Sequence, residues 1–275
     1  MTRGYGPTCL ALCLVCFAAG CADQLILHLP ARAVAGPDVQ RRTILDEANT
    51  IEIFTARSAG AYGVEPRAFM LEFTGNMTRA EHIVAYVASR WETQPVETWV
   101  INYPGYGRST GGAKLRNIPP AALTAYDELK RVAGDRPIFV AGQSLGSIPA
   151  LYVASKRDVA GVIIQNPPAL PDQLWKQHGW WNLWLLAAPV AWQIPREMNS
   201  VVNARRVTAP AVILLADSDR VAPPRFQRKI ADAYAGEKRL IVQKNAGHDT
   251  PLHNADQARL REGMNWLFDR ATTSE

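Results

Sequence analysis

Pro137-Ile138-Phe139-Val140-Ala141-Gly142-Gln143-Ser144-Leu145-Gly146-Ser147-Ile148 is the stretch whose reading decides the fold of this chain. Its first half, 137–141, is an unbroken apolar run, as expected for a strand covered on both faces of a sheet. Its second half sets a serine between two glycines, after which 148–155 reads as a helix, with Pro149 tolerated only in the first turn. A strand that turns at once into a helix needs a sharp corner. The residue at the corner takes strained dihedrals, and a β-carbon at either flanking position would collide with neighbouring backbone. The turn lifts Ser144 Oγ above the sheet, and the helix N-terminus behind it favours developing negative charge.

The rest of the chain repeats the same alternation. Residues 43–45 and 50–55 read as a leading hairpin, 68–73 as a short buried strand, and 79–91 as a helix. A strand at 97–102, a helix at 120–133 with Leu123, Tyr126, Leu129 and Val132 at helical spacing, and a strand at 159–165 follow. Strands at 211–216 and 240–243, with helices at 225–233 and 256–268, complete the pattern. Strand and helix in alternation predict a mostly parallel, doubly wound α/β sheet. Between the sixth and seventh strands the composition shifts. Residues 167–205 hold five of the eight tryptophans (Trp175, Trp180, Trp181, Trp184, Trp192) and several prolines, and read as a helical cap inserted into the domain. The tryptophans fit three roles: an apolar lid over a pocket, packing of the cap on the core, or a membrane-interface surface.

A serine needs a base to become a nucleophile, and the base needs a carboxylate to orient it. Asp219 follows the strand at 211–216 in Asp217-Ser218-Asp219-Arg220-Val221-Ala222-Pro223, and His248 follows the strand at 240–243 in Asn245-Ala246-Gly247-His248-Asp249. Both leave the carboxyl end of a strand, which brings them to the sheet edge that carries Ser144. Asp217 and His253 are their rivals. The spacing to Val221-Ala222-Pro223 favours Asp219, and Gly247 favours His248 by giving its loop freedom of approach.

At these residues the chain resembles the α/β-hydrolase superfamily over nearly all of its length after the N-terminus. Tyr103-Pro104-Gly105-Tyr106-Gly107-Arg108-Ser109 is similar to a Pro-Gly-x-Gly-x-Ser segment of that superfamily, and Thr74-Gly75-Asn76 stands where His-Gly-Asn is usual. The pattern is most similar to the serine-aminopeptidase-like hydrolases and the membrane-associated acyl-protein thioesterases. The resemblance implies a Ser144–His248–Asp219 triad and an oxyanion hole made by the backbone N–H groups of Leu145 and Asn76. It implies hydrolysis of a carboxylic ester or thioester. A peptidase or amidase of the same fold, or a binding protein that retains the fold without catalysis, are the alternatives.

All four cysteines (Cys9, Cys13, Cys16, Cys21) lie in the first twenty-one of 275 residues, so no disulfide framework is expected in the folded domain. Arg3 and the apolar run 9–19 read as an export signal, too short to span a bilayer comfortably. Ala18-Ala19-Gly20-Cys21 resembles a bacterial lipobox, which implies cleavage before Cys21 and a lipid on its sulfur; the alternative is an ordinary secretory signal with Cys21 incidental. The resulting division is a signal peptide at 1–20, an anchor linker and N-terminal segment at 21–40, and a hydrolase domain at 41–275. An exported, membrane-tethered, monomeric protein of the periplasm or cell envelope is the expectation. The formal net charge of +5 is scattered along the chain without a Lys/Arg run, so no nucleic-acid partner is expected. No metal-ligand spacing, phosphate loop or dinucleotide fingerprint appears, so no cofactor is expected either.

Overall fold

The structure, a computed structural model, describes residues 23, 26–28, 39–46, 49–173 and 193–273. The export signal, Cys21 and the five tryptophans of the cap lie outside the described residues. Within them the chain forms one eight-stranded sheet in the order β1-β2-β4-β3-β5-β6-β7-β8. The strands are β1 (Gln40–Asp46), β2 (Asn49–Arg57), β3 (Ala68–Phe73), β4 (Val96–Ile101), β5 (Ile138–Gln143), β6 (Gly161–Gln165), β7 (Ala211–Ala216) and β8 (Lys238–Gln243). The pair β1–β2 is the antiparallel hairpin expected at the start, and β2 also runs antiparallel to β4; every other pairing is parallel. The doubly wound α/β architecture is therefore as the alternation predicts. Boundaries differ by a few residues: β5 carries on through Gln143 to the serine itself, and β8 begins at Lys238.

Parallel strands expose neither face, and the sequence shows why helices must cover both. Along β3, Phe69, Leu71 and Phe73 join one apolar cluster, while Ala68 and Met70 join another on the opposite face. The first cluster is closed by α2 (Ile118–Ala133), α3 (Ser147–Ala154), the short α4 (Ser200–Ala204) and α5 (Pro224–Ala233), through residues such as Leu129, Leu151, Val201 and Ile230. The second is closed by α1 (Ala80–Ser89) and α6 (Asn254–Thr272), through Val87, Leu260, Met264 and Leu267. Trp91, just past α1, stacks at 5.2 Å on Phe139 and sits 6.4 Å from Phe268, tying α1 and α6 to the middle strand β5. The sheet ends laterally on two strands with exposed basic residues, Arg41 and Arg42 on β1 and Lys238 and Arg239 on β8.

One strand residue breaks the apolar rule. Glu72 sits on the α1 side of β3, is 5% exposed, and its Oε2 has no hydrogen-bond partner among the described residues. Burial raises its carboxyl from the ordinary 4.5 to about 7, with nearby Arg90 opposing the rise. The folded state thus binds this proton more tightly than the unfolded chain, so the stabilisation is complete below the unfolded value and lost as pH climbs through 7. Between pH 5 and pH 8 the group is expected to withdraw about 2–3 kcal/mol of unfolding free energy. Urea titrations at the two pH values should show this decline in the wild-type chain and a decline smaller by that amount in Glu72→Gln.

Candidate active site

The corner after β5 has the geometry its glycines require. Ser144 lies in the left-handed region at φ 51°, a conformation that a side chain rarely adopts. A β-carbon on Gly142 would come closer than 3.0 Å to the Gly146 carbonyl, and one on Gly146 closer than 3.0 Å to the Phe73 carbonyl. The turn is therefore wedged against itself on one side and against the end of β3 on the other. Ser147 Oγ closes it by donating to the Ser144 carbonyl at 2.6 Å.

The loops after β7 and β8 deliver the remaining groups. Ser218 N–H donates to the Ala246 carbonyl at 3.0 Å and Asp217 N–H to the Gln243 carbonyl at 3.2 Å, so the two loops are stitched together. His248 Nε2 lies 2.8 Å from Ser144 Oγ, and His248 Nδ1 lies 2.7 Å from Asp219 Oδ2. The rivals stand elsewhere. Asp217 faces Lys244 at 3.7 Å, and His253 precedes α6, with its Nδ1 3.7 Å from Asp256. Gly247 is not the residue that bends the loop: it has no positive φ, and a β-carbon there would meet only Thr250 Oγ1 at an ordinary 3.6 Å. The left-handed residue is Asn245, at φ 54°.

Asp219 is 3% exposed, and its four hydrogen bonds explain how a carboxylate is kept there. Oδ1 accepts from the N–H groups of Val221 and Ala222, each at 2.8 Å. Oδ2 accepts from Gln227 Nε2 at 2.9 Å as well as from the histidine. Because Oδ2 acts as an acceptor, the shared proton is placed on Nδ1, which leaves Nε2 free to accept from Ser144. Gln227, on α5, is wholly buried; its Oε1 takes the Ala216 N–H at 3.1 Å and its Nε2 also reaches the Ala222 carbonyl at 2.6 Å. It brackets the end of β7 and the aspartate loop together. Asn166, left-handed at φ 49° beyond β6, donates from Nδ2 to the His248 carbonyl at 3.0 Å and holds the histidine loop from below. Neither residue carries a motif. Only a polar side chain on the apolar stripe of α5 would have drawn attention to Gln227.

The segment after β3 forms the facing wall. Tyr103, buried against Tyr106 at 5.7 Å, donates its hydroxyl to the Thr74 carbonyl at 2.8 Å. Thr74 is itself buried, and its Oγ1 has no partner among the described residues, so the loop is held through its backbone. Gly107 is needed in the Tyr103–Ser109 turn: at φ 58° it passes so close to Asn102 and Glu52 that a β-carbon would clash. Gly75, Asn76 and Leu145 line one pocket of about 450 Å³ with Ser144 and His248, completed by apolar groups such as Leu170. That size suits a small organic ligand. Among the described residues no group of three His, Cys, Asp or Glu side chains could hold a metal ion, and no helix is long and apolar enough to cross a membrane.

The Gln227 bracket yields a direct expectation. Gln227→Leu keeps the volume but strips one donor from Asp219 and leaves the buried Ala216 N–H unpaired. The unfolding free energy should fall by about 1–3 kcal/mol in urea titrations, and an unchanged midpoint would refute the bracket.

No family model matches the chain. It is 26% identical over 163 residues (58% of this chain, 46% of the relative) to the alpha/beta hydrolase domain-containing protein aho-3 of Caenorhabditis elegans. It is 24% identical over 155 residues (52% of this chain, 41% of the relative) to lysophosphatidylserine lipase ABHD12 of Danio rerio. The chain thus spans less than half the length of these curated relatives. Among solved structures, Est1E from Butyrivibrio proteoclasticus with ferulic acid bound superposes with a TM-score of 0.68 at 19% identity, covering 82% of this chain and 99% of that one. Sheet order, the serine corner and this likeness agree that the chain has the α/β-hydrolase fold.

Proposed function

We propose that the protein is a serine hydrolase that cleaves a carboxylic ester or thioester through an acyl-Ser144 intermediate. The observation that carries this reading is the unbroken hydrogen-bond line from Ser144 Oγ through His248 to the buried Asp219. In the proposed reaction His248 Nε2 takes the Ser144 proton as Oγ bonds to the substrate carbonyl carbon. The oxyanion that forms is met by the backbone N–H groups of Leu145 and Asn76, donors worth a few kcal/mol of barrier each. The tetrahedral adduct then expels its alcohol or thiol, which leaves with the proton from His248. Water repeats the sequence on the acyl-serine: His248 removes its proton, the acid departs, and Ser144 regains its hydrogen. Asp219 keeps the histidine in the tautomer that both half-reactions need. The relation to a relative named as a lipase, and the apolar lining of the pocket, favour an acyl substrate.

Export and tethering through Cys21 belong to the same proposal and rest on the N-terminal sequence. Mass spectrometry of the mature protein should find a diacylglyceryl group on an N-terminal Cys21; an unmodified terminus beyond it would remove the anchor without touching catalysis.

For the chemistry, a fluorophosphonate probe should label the wild-type protein on Ser144 and leave Ser144→Ala unlabelled. Turnover of a p-nitrophenyl ester should drop by about 10⁴-fold or more in Ser144→Ala and in His248→Ala, with no further loss when the two are combined. Undiminished turnover by Ser144→Ala would overturn the reading.

A further inference from the structure

Residues 26–28 lie far from Ser144 in sequence but beside it in space. Leu27 is 8% exposed and belongs to the apolar cluster that underlies the site. Upstream, Asp23 Oδ1 accepts from the Leu115 N–H at 2.7 Å, and its carbonyl accepts from the Leu27 N–H at 2.8 Å. Downstream, the Tyr106 hydroxyl lies 3.3 Å from the His28 carbonyl. The closest partner is the side chain of Asn76. Its Nδ2 donates to the Ile26 carbonyl and lies 3.0 Å from His28 Nδ1, while its Oδ1 accepts from the His28 N–H at 2.9 Å and from Tyr106 at 3.1 Å. Asn76 therefore serves two structures at once, as part of the loop facing Ser144 and as the clamp on this segment. The outcome is that Ile26 and His28 line the same 450 Å³ pocket as Ser144 and His248.

We propose that Ile26–His28 is a wall of the acyl pocket, held by the Asn76 side chain, and that Ile26 sets the length of acyl chain the pocket accepts. The proposal rests on the reading of this pocket as an acyl site, and its reasoning is one of shape. Ile26 is the apolar residue of the segment that lines the pocket, together with Leu145, Pro168, Leu170 and Val221. An apolar chain growing into such a space gains affinity with every methylene it buries and stops gaining when it meets a wall. The Asn76 clamp explains why three residues can act as a wall: their backbone is hydrogen-bonded on both sides of Leu27, so Ile26 cannot simply swing away.

The test uses equilibrium binding, so that it reads the wall whether or not acyl transfer occurs. Straight-chain fatty acids of four to twelve carbons are titrated into the full-length Ser144→Ala protein by calorimetry. Affinity should rise about fourfold per methylene up to a break, beyond which it is flat. In Ser144→Ala combined with Ile26→Ala the break should move to chains longer by about two or three carbons, the depth of the deleted side chain. With Ile26→Phe it should move to shorter chains. Asn76→Leu, which removes the three side-chain contacts from Asn76 to the segment, should lengthen the break as Ile26→Ala does. A break at one chain length in all four proteins, or no binding of any fatty acid, would overturn the proposal. Failure of the fluorophosphonate labelling with a mobile break would instead overturn the catalytic reading and leave the wall in place.

Discussion

The close approach of Gly146 to the carbonyl of Phe73 is the constraint on which the site depends. It lets the corner after β5 press against the end of β3, and no residue with a β-carbon fits there. Because of it, the loop that follows Phe73 begins beside Ser144, and Gly75 and Asn76 line the same pocket as the serine. The same corner holds Ser144 in a left-handed conformation that costs about 1–3 kcal/mol. That cost is offset by the buried sheet on which the corner stands, since β5 lies between β3 and β6 with apolar clusters on both faces.

The groups facing Ser144 follow a similar logic of borrowed rigidity. His248 belongs to a loop and would be free to wander, but the loop is sewn to its neighbour after β7 and supported by Asn166. Asp219 is placed by four donors, two of them backbone groups of its own turn and one the buried amide of Gln227. A carboxylate so fully satisfied has no remaining demand on solvent or ligand. Its orientation is fixed before any substrate arrives, which is the condition for electrostatic preorganisation.

The parts legible in the sequence are those whose cause is local. An apolar run, a glycine–serine–glycine corner and a helix in immediate succession permit little else, so the positions of Ser144, β5 and α3 follow from about a dozen residues. Asp219 and His248 were legible because each sits just beyond a strand of a sheet whose polarity was already known. Gln227 was not, because Pro224-Arg225-Phe226-Gln227-Arg228-Lys229 reads as a polar helix start, and only the fold shows that its glutamine turns inward with Phe226 and Ile230. The part played by Ile26 and His28 was hidden for a different reason. A contact spanning 48 residues between Asn76 and His28 leaves no periodicity in either segment. The left-handed residue of the His248 loop was not legible either: it is Asn245, whose side chain tolerates that backbone.

The two lateral borders of the sheet bear on how the chain behaves among its own copies. An open edge strand offers unpaired N–H and C=O groups to any extended segment nearby, and a crowded population of newly made chains supplies many such segments. Here each border carries a pair of exposed basic residues near its start, Arg41-Arg42 on one side and Lys238-Arg239 on the other. A second copy docking along either border would have to desolvate these basic side chains, three of which already hold acidic partners: Arg41 with Glu52, Arg42 with Glu97 and Arg239 with Glu262. Among the described residues, that desolvation cost is what each border of the eight-stranded sheet sets against a ninth strand from a neighbour.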